Sequence, residues 1–195
     1  MDAAVLAQQK YIFLRKYTSK KYDTVSIALE SAIKSAVKRN PTYSDTITGV
    51  QKKEVVLFWQ NELIHLGKKY IICKQTEDAF VEDVLVLKKA LNGRFREHLS
   101  NKESRGVRIS HCQKSLAVFL KYRWCQGELP FEPPVCPVDR FVLNHIGKNN
   151  ISWTKMDDEE IYRDIIKVIS EAVKNNICCK SPSEWELCMF NTINN

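Results

Sequence analysis

The sequence of 195 residues predicts an all-α protein of about seven to eight helices. Glycine and proline, six of each, are scarce, and four of the prolines lie within residues 130–137, so long segments run without a helix breaker. Within these segments apolar residues recur at spacings of three and four, and no segment alternates long enough to indicate a strand. The 44% of hydrophobic residues is enough to build a buried core.

The N-terminal half is predicted to form four helices. They cover about residues 2–17, 23–38, 48–69 and 77–99. Asp23 and Thr76 are the expected N-caps of the second and fourth helices, because their side-chain oxygens can accept hydrogen bonds from free backbone N–H groups. The fourth helix carries the most regular amphipathic stripe of the chain, which consists of Phe80, Val84, Leu87, Leu91, Phe95 and Leu99.

The C-terminal half is predicted to continue with shorter helices. After a polar connector, Ser110 and Gln113 form a capping box that begins a helix ending near Cys125. A Pro-rich loop at 129–137 is expected to be extended, since proline cannot continue a helix. Further helices are expected at about 137–145, 157–175 and from residue 181 onward. Residues 1–100 and 101–195 are interpreted as two lobes with a basic cleft between them, and a single domain remains the alternative.

The net charge of the chain is concentrated in one stretch, residues 88–123, called the basic stretch below. It holds ten Lys or Arg and two acids, a net charge of +8 against +7 for the whole chain. Such a field favours a polyanionic partner with phosphate groups, whereas the simpler interpretation is a pair of solvated helices. The candidate nucleic-acid contacts are Arg94, Arg96, Arg105, Arg108, Lys121, Arg123 and Arg140.

A motif at the centre of the chain has chemistry-bearing residues. The segment Gly106-Val107-Arg108-Ile109-Ser110-His111-Cys112-Gln113-Lys114, followed by Cys136-Pro137-Val138-Asp139-Arg140, resembles the helix-hairpin-helix DNA glycosylases over about 35 residues. The resemblance implies that Lys114 is the Schiff-base lysine and Asp139 the active-site carboxylate. The hairpin of that family has a second glycine, and its spacing between the two catalytic residues is shorter. A plain surface lysine is the alternative for Lys114, and an N-terminal helix acid that is stabilised by the helix dipole is the alternative for Asp139.

Two other functions remain open from the sequence. Arg105 and His111, with five residues between them, resemble the Arg-x(4–6)-His motif of HEPN-type ribonucleases. That resemblance implies that the histidine acts as a base at the RNA 2′-OH while the arginine stabilises the phosphate charge. The other alternative is a non-enzymatic helical module that binds nucleic acid or protein through the basic stretch.

The sequence lacks the features of several classes of protein, and these classes are therefore disfavoured. The seven cysteines are odd in number and form no CxxC pair, so reduced thiols in a cytosolic protein are expected, with no metal and no cofactor. No run approaches the roughly 18 apolar residues of a membrane span. The P-loop, GxGxxG, GxSxG and HExxH motifs are all missing. The sequence therefore predicts a cytoplasmic protein that binds DNA or RNA and no membrane, and it leaves the oligomeric state open.

Overall fold

The computed structural model describes residues 1–17, 24–101 and 104–193. These form eight α-helices, which are α1 (Ala3–Tyr17), α2 (Thr24–Val37), α3 (Gly49–Ile72), α4 (Glu77–Phe95), α5 (Ile109–Cys125), α6 (Arg140–His145), α7 (Glu159–Lys174) and α8 (Pro182–Ile193). A two-stranded antiparallel hairpin, β1 (Ser100–Asn101) and β2 (Ser104–Arg105), joins α4 to α5, and a 3-10 turn covers Trp153–Lys155. The all-α prediction is confirmed. The expected cap Asp23 and the basic residue Lys102 lie outside the described residues.

Helix α5 is the centre of the fold. Fifteen of its 17 residues are buried, and α1, α2, α3 and α4 all contact it. Helix α2 packs along it most extensively, because the small residues Ala28, Ala32 and Ala36 lie one turn apart and are fully buried. The buried side chains of both predicted lobes belong to one hydrophobic cluster. The division near residue 100 stays a prediction, but helices from either side of it share this core.

Most helix starts follow the sequence cues. The Thr76 hydroxyl accepts a hydrogen bond from the Ala79 N–H at 3.1 Å, as expected for an N-cap. The predicted start of α5 at Ser110 is wrong, because the N-cap position is Arg108. His111 Nδ1 accepts a hydrogen bond from the Arg108 N–H at 3.1 Å, while the buried Ser110 hydroxyl donates to the Thr154 carbonyl. A tertiary contact therefore uses the serine that local sequence assigns to the cap.

Two side-chain amides hold the backbone on either side of α5, one before the helix and one after it. Before the helix, the Asn92 amide accepts from the Val107 N–H at 2.7 Å and donates to the Val107 carbonyl at 3.0 Å. Gly106, with φ of 105°, lets the chain pass, since a Cβ there would collide with Asn92. After the Pro-rich loop, the Gln113 amide donates to the Val138 carbonyl at 2.7 Å and accepts from the Val138 N–H at 3.1 Å. This second clamp holds the start of α6 against α5.

The α-helices carry polar as well as apolar side chains. None of the helices in the described part of the chain combines the length and the apolar character that crossing a membrane requires.

Candidate functional site: a lysine–aspartate pair beside a basic cavity

Lys114 and Asp139, the two residues assigned to catalysis by resemblance, are in contact. Lys114 Nζ lies 2.7 Å from Asp139 Oδ2 across 25 residues of sequence. Lys114 projects from the second turn of α5 with 11% of its side chain exposed, and Asp139 is 30% exposed. Asp139 is also the N-cap of α6, because its Oδ1 accepts from the Val142 N–H at 3.1 Å. One carboxylate oxygen thus caps a helix and the other binds the ammonium.

The environment keeps the Asp139 carboxyl group ionised. Burial acts to raise its pKa, but the Lys114 charge and hydrogen bond, together with the backbone N–H groups of Val142 and Phe141, outweigh burial and lower the pKa below its ordinary value. The Trp153 ring centroid lies 6.0 Å from Lys114 Nζ, at the outer limit of a cation–π contact. The Asp139 carboxylate therefore stays ionised and hydrogen-bonded to the Lys114 ammonium, which makes it a weak proton acceptor.

A cavity of about 340 Å³ opens beside Lys114 between α2, α5 and α8. Its lining includes four lysines and one acid, which are Lys34, Lys38, Lys114, Lys121 and Glu186. Apolar side chains and two serines of α2 complete the wall. This space is called the basic cavity below; Lys114 lines it, whereas its partner Asp139 does not.

Lys121, expected to contact nucleic acid, forms a buried ion pair in the wall of the basic cavity. Its Nζ lies 2.6 Å from Glu186 Oε2, and each side chain is only 6% exposed. The ammonium lies between the rings of Phe13 and Phe190, 4.6 and 4.3 Å from their centroids. The lysine therefore has a fixed position, set by a carboxylate of the last helix and by two aromatic faces.

Other cations of the basic stretch are also held by the fold. Arg108 is buried, and its Nη1 donates to the Thr154 carbonyl at 3.0 Å. Arg123 forms an ion pair with Glu128, and Lys88 pairs with Asp157 at 2.6 Å. Beyond the stretch, Arg140 donates to the Asn149 carbonyl at 2.8 Å. The acids of the two ion pairs, Glu128 and Asp157, lie outside residues 88–123.

The remaining predicted contacts, Arg94, Arg96 and Arg105, form an exposed group at the end of α4 and on the hairpin, called the basic tip below. The Arg94 guanidinium lies 4.9 Å from the centroid of the Phe58 ring. Arg96 and Arg105 line a pocket of about 430 Å³ at the hairpin, together with Glu97 and Ser100. Across the described residues, none of these three arginines forms an ion pair. The structure does not bring the basic tip together with Lys114 in one cleft.

Arg105 and His111, the pair with the ribonuclease-like spacing, occupy different environments. Arg105 is exposed, whereas His111 is 0% exposed and both of its ring nitrogens have partners. Nδ1 accepts from the Arg108 N–H, and Nε2 lies 3.1 Å from the Thr42 hydroxyl, which itself donates to a carbonyl. Burial, reinforced by the Arg108 charge, lowers the pKa of His111 to about 4. At neutral pH the ring is uncharged and serves the start of α5.

Three residues of the cavity were missed from the sequence. Glu186 gave no local signal, because a buried acid is recognised only by its partner. Lys34 and Lys38, by contrast, had a signal in the sequence. Together with Ser31 and Ser35 they occupy one polar face of α2 and the turn after it, at spacings that a helical wheel brings together.

No protein-family model matches the chain, and no curated protein or solved structure is significantly similar to it. Within the part of the chain that the structure describes, no group of three or more His, Cys, Asp or Glu side chains is placed to hold a metal ion.

Proposed function

We propose that this protein binds nucleic acid and that Lys114 attacks the sugar of an abasic site, the reaction of a DNA glycosylase with lyase activity. The observation that carries the proposal is the 2.7 Å contact between Lys114 and Asp139 at the edge of the basic cavity. A nucleophilic lysine needs a neighbouring proton acceptor and a space for the sugar. Both are present at this position.

The step follows from the chemistry of the pair. Transfer of the Lys114 proton to Asp139 is uphill, because the pKa of that carboxyl is lowered, and the minor neutral amine that it produces attacks C1′ of the ring-opened abasic sugar. The aldehyde oxygen leaves as water, and an iminium ion links the sugar to Nζ. Asp139 holds the amine in place and then carries the proton that the departing oxygen requires. The surrounding lysines stabilise the phosphates that flank the sugar.

Borohydride trapping on an abasic oligonucleotide tests the proposal, because reduction of the iminium makes the link permanent. Wild-type protein is expected to form the adduct, and Lys114→Ala is expected to form none. Lys89→Ala is the matched control, since Lys89 is an exposed lysine of the same basic stretch. Asp139→Asn keeps a capping oxygen but loses the base, and the trapping rate should fall by roughly 100-fold. An adduct that persists in folded Lys114→Ala would refute the assignment, as would a wild-type protein that forms none.

A second function is supported by a separate observation. The basic tip is exposed, and across the described residues its arginines have no acidic partners, so it can contact phosphates of DNA or RNA without any chemistry. This non-enzymatic module predicts nucleic-acid binding that depends on the basic tip and is unchanged in Lys114→Ala. It also predicts that no borohydride adduct forms on abasic DNA.

A further inference from the structure

We infer that the basic cavity binds one nucleoside phosphate and that Lys34 near the end of α2 and Lys38, in the turn directly after it, bind its phosphate group. The inference rests on the proposed function, because it names the substrate unit that the Lys114–Asp139 pair would meet. The evidence for it is the arrangement of charge, hydroxyl groups and apolar surface around the cavity.

The first part of the evidence is the α2 face. Lys34 and Lys38 lie one helical turn apart, so their Cβ atoms are about 5–6 Å from each other and both ammonium groups can reach the same phosphate. Ser31 and Ser35 line the cavity on the same face and add hydroxyl groups. The adjacent face of α2 carries the buried alanines that pack on α5. The helix is therefore rigidly placed while its polar face borders the open volume.

The second part is the distribution of charge within the cavity. On the α5 wall, Lys114 and Lys121 already have carboxylate partners at 2.7 and 2.6 Å. Lys34 and Lys38 are exposed and form no ion pair with any other described residue. With Glu186 and Asp139 as the partners of two of the four lysines, the cavity keeps a formal charge of +2. The unneutralised charge is thus on α2, and a cleft concentrates its field on an anion inside.

The third part is the size and the apolar wall. A volume of about 340 Å³ lies at the lower end of the roughly 300–1,000 Å³ that small-molecule sites occupy. It accommodates one nucleotide unit and excludes a duplex. Val118, Pro137 and Phe190 give the cavity an apolar side suited to a sugar or base face. Two sources supply this ligand, a nucleotide turned out of a strand and a free nucleotide.

Equilibrium binding tests the inference without the covalent step. The probe is a fluorescent single-stranded oligonucleotide with one tetrahydrofuran residue, an abasic analogue that has no aldehyde and cannot form an iminium. Lys34→Ala/Lys38→Ala is expected to bind it about tenfold more weakly, because charge-assisted contacts to one phosphate are lost. The dependence of log affinity on log salt should become shallower by about 0.7, the value for one phosphate of a single strand. Lys167→Ala/Lys174→Ala on α7 removes the same charge from exposed positions that do not line the cavity.

The control and the source of the ligand decide the outcome. Equal losses in the α2 and α7 variants would overturn the inference, since only net charge would then matter, and so would unchanged binding in the α2 variant. A nucleoside monophosphate that binds alone, with the same dependence on Lys34 and Lys38, supports the inference and identifies the free nucleotide as the source. Selective loss of oligonucleotide binding supports it and identifies the extruded nucleotide.

The two proposals fail separately. Binding of the tetrahydrofuran probe through α2, without any borohydride adduct on abasic DNA, would refute the chemistry of Lys114 and leave the phosphate site standing. An adduct that requires Lys114, together with probe binding that is unchanged in Lys34→Ala/Lys38→Ala, would refute the phosphate site and leave the chemistry standing.

Discussion

The basic tip and helix α5 belong to the same basic stretch of sequence, yet they place their cations in opposite environments. Arg94, Arg96 and Arg105 are exposed. Lys114 and Lys121 are nearly buried, and each is bound to a carboxylate from a distant part of the chain. A run of positive charge in the sequence is therefore a poor guide to the field outside the protein, because acids far along the chain cancel part of it.

The difference also separates two roles for the same formal charge. Buried cations that lose their partners are strongly destabilising, whereas exposed ones contribute little to stability. We therefore expect α5 cations to determine how well the protein folds and how its site is held. The basic tip should determine how strongly the protein binds a polyanion. Variants that change only the stability of the protein, or only its binding of a polyanion, test this division between the two groups of cations.

The largest effect on stability is expected at Lys121. Lys121→Met leaves Glu186 as an unpaired charge in a buried site, and the free energy of unfolding should fall by about 3–5 kcal/mol. The double variant Lys121→Met/Glu186→Leu removes both charges and should recover most of that loss. Urea denaturation measures both. A loss below about 1 kcal/mol in the single variant would show that this pair behaves like a surface ion pair.

The next effect is a pH dependence caused by His111. Its pKa is about 4 in the folded protein and near 6.5 when unfolded, so the unfolded state binds more protons between these values. The stability that the neutral ring contributes is complete above pH 6.5 and is lost as the pH falls towards 4. The total is roughly 3 kcal/mol. His111→Gln should flatten this slope in urea titrations at several pH values. His65→Gln, at an exposed histidine of α3, should leave the slope as it is in the wild type.

A smaller effect is expected at Asp139, whose two oxygens have separate tasks. Asp139→Asn keeps the cap on α6 and loses the partner of Lys114, whereas Asp139→Ala loses both, so alanine should cost about 1 kcal/mol more than asparagine. The depressed pKa of Asp139 adds stability above its ordinary pKa, near 3.9, which disappears as the pH falls through the lower folded value. Thermal unfolding of the two variants at neutral pH measures the difference. Equal losses would mean that Asp139 does not cap the helix.

The smallest effect on stability is expected at the basic tip. Arg94→Gln/Arg96→Gln/Arg105→Gln should change the free energy of unfolding by less than about 0.5 kcal/mol per site. The same variant should weaken single-stranded nucleic-acid binding and reduce the salt slope by up to about 2, since each lost phosphate contact contributes roughly 0.7. Fluorescence anisotropy across a salt series gives this slope. An unchanged slope would remove the basic tip from the binding surface.

Local sequence predicted the parts of the fold that depend on neighbours along the chain. Thr76 caps its helix as expected, because its hydroxyl accepts from a free N–H group three residues away. The start of α6 was expected at Pro137, but the helix begins at Arg140, and Asp139 is its N-cap rather than an acid inside its first turn. Ser110 did not follow the capping rule, since a carbonyl 44 residues away takes its hydroxyl. The contact between Lys114 and Asp139 was expected only from a family resemblance. The Lys121–Glu186 pair spans 65 residues and had no signal in the sequence.

The Gln113–Val138 clamp has a consequence for how this chain can change over evolution. The Gln113 amide binds the backbone N–H and carbonyl of Val138, the residue just before Asp139. It therefore fixes the position of the chain after the Pro-rich loop. Extra residues at the exposed end of that loop, near Gly127 and Pro130, would bulge outward and leave the carboxylate beside its lysine. We therefore expect the long interval between Lys114 and Asp139 to accept inserted residues without separating the pair.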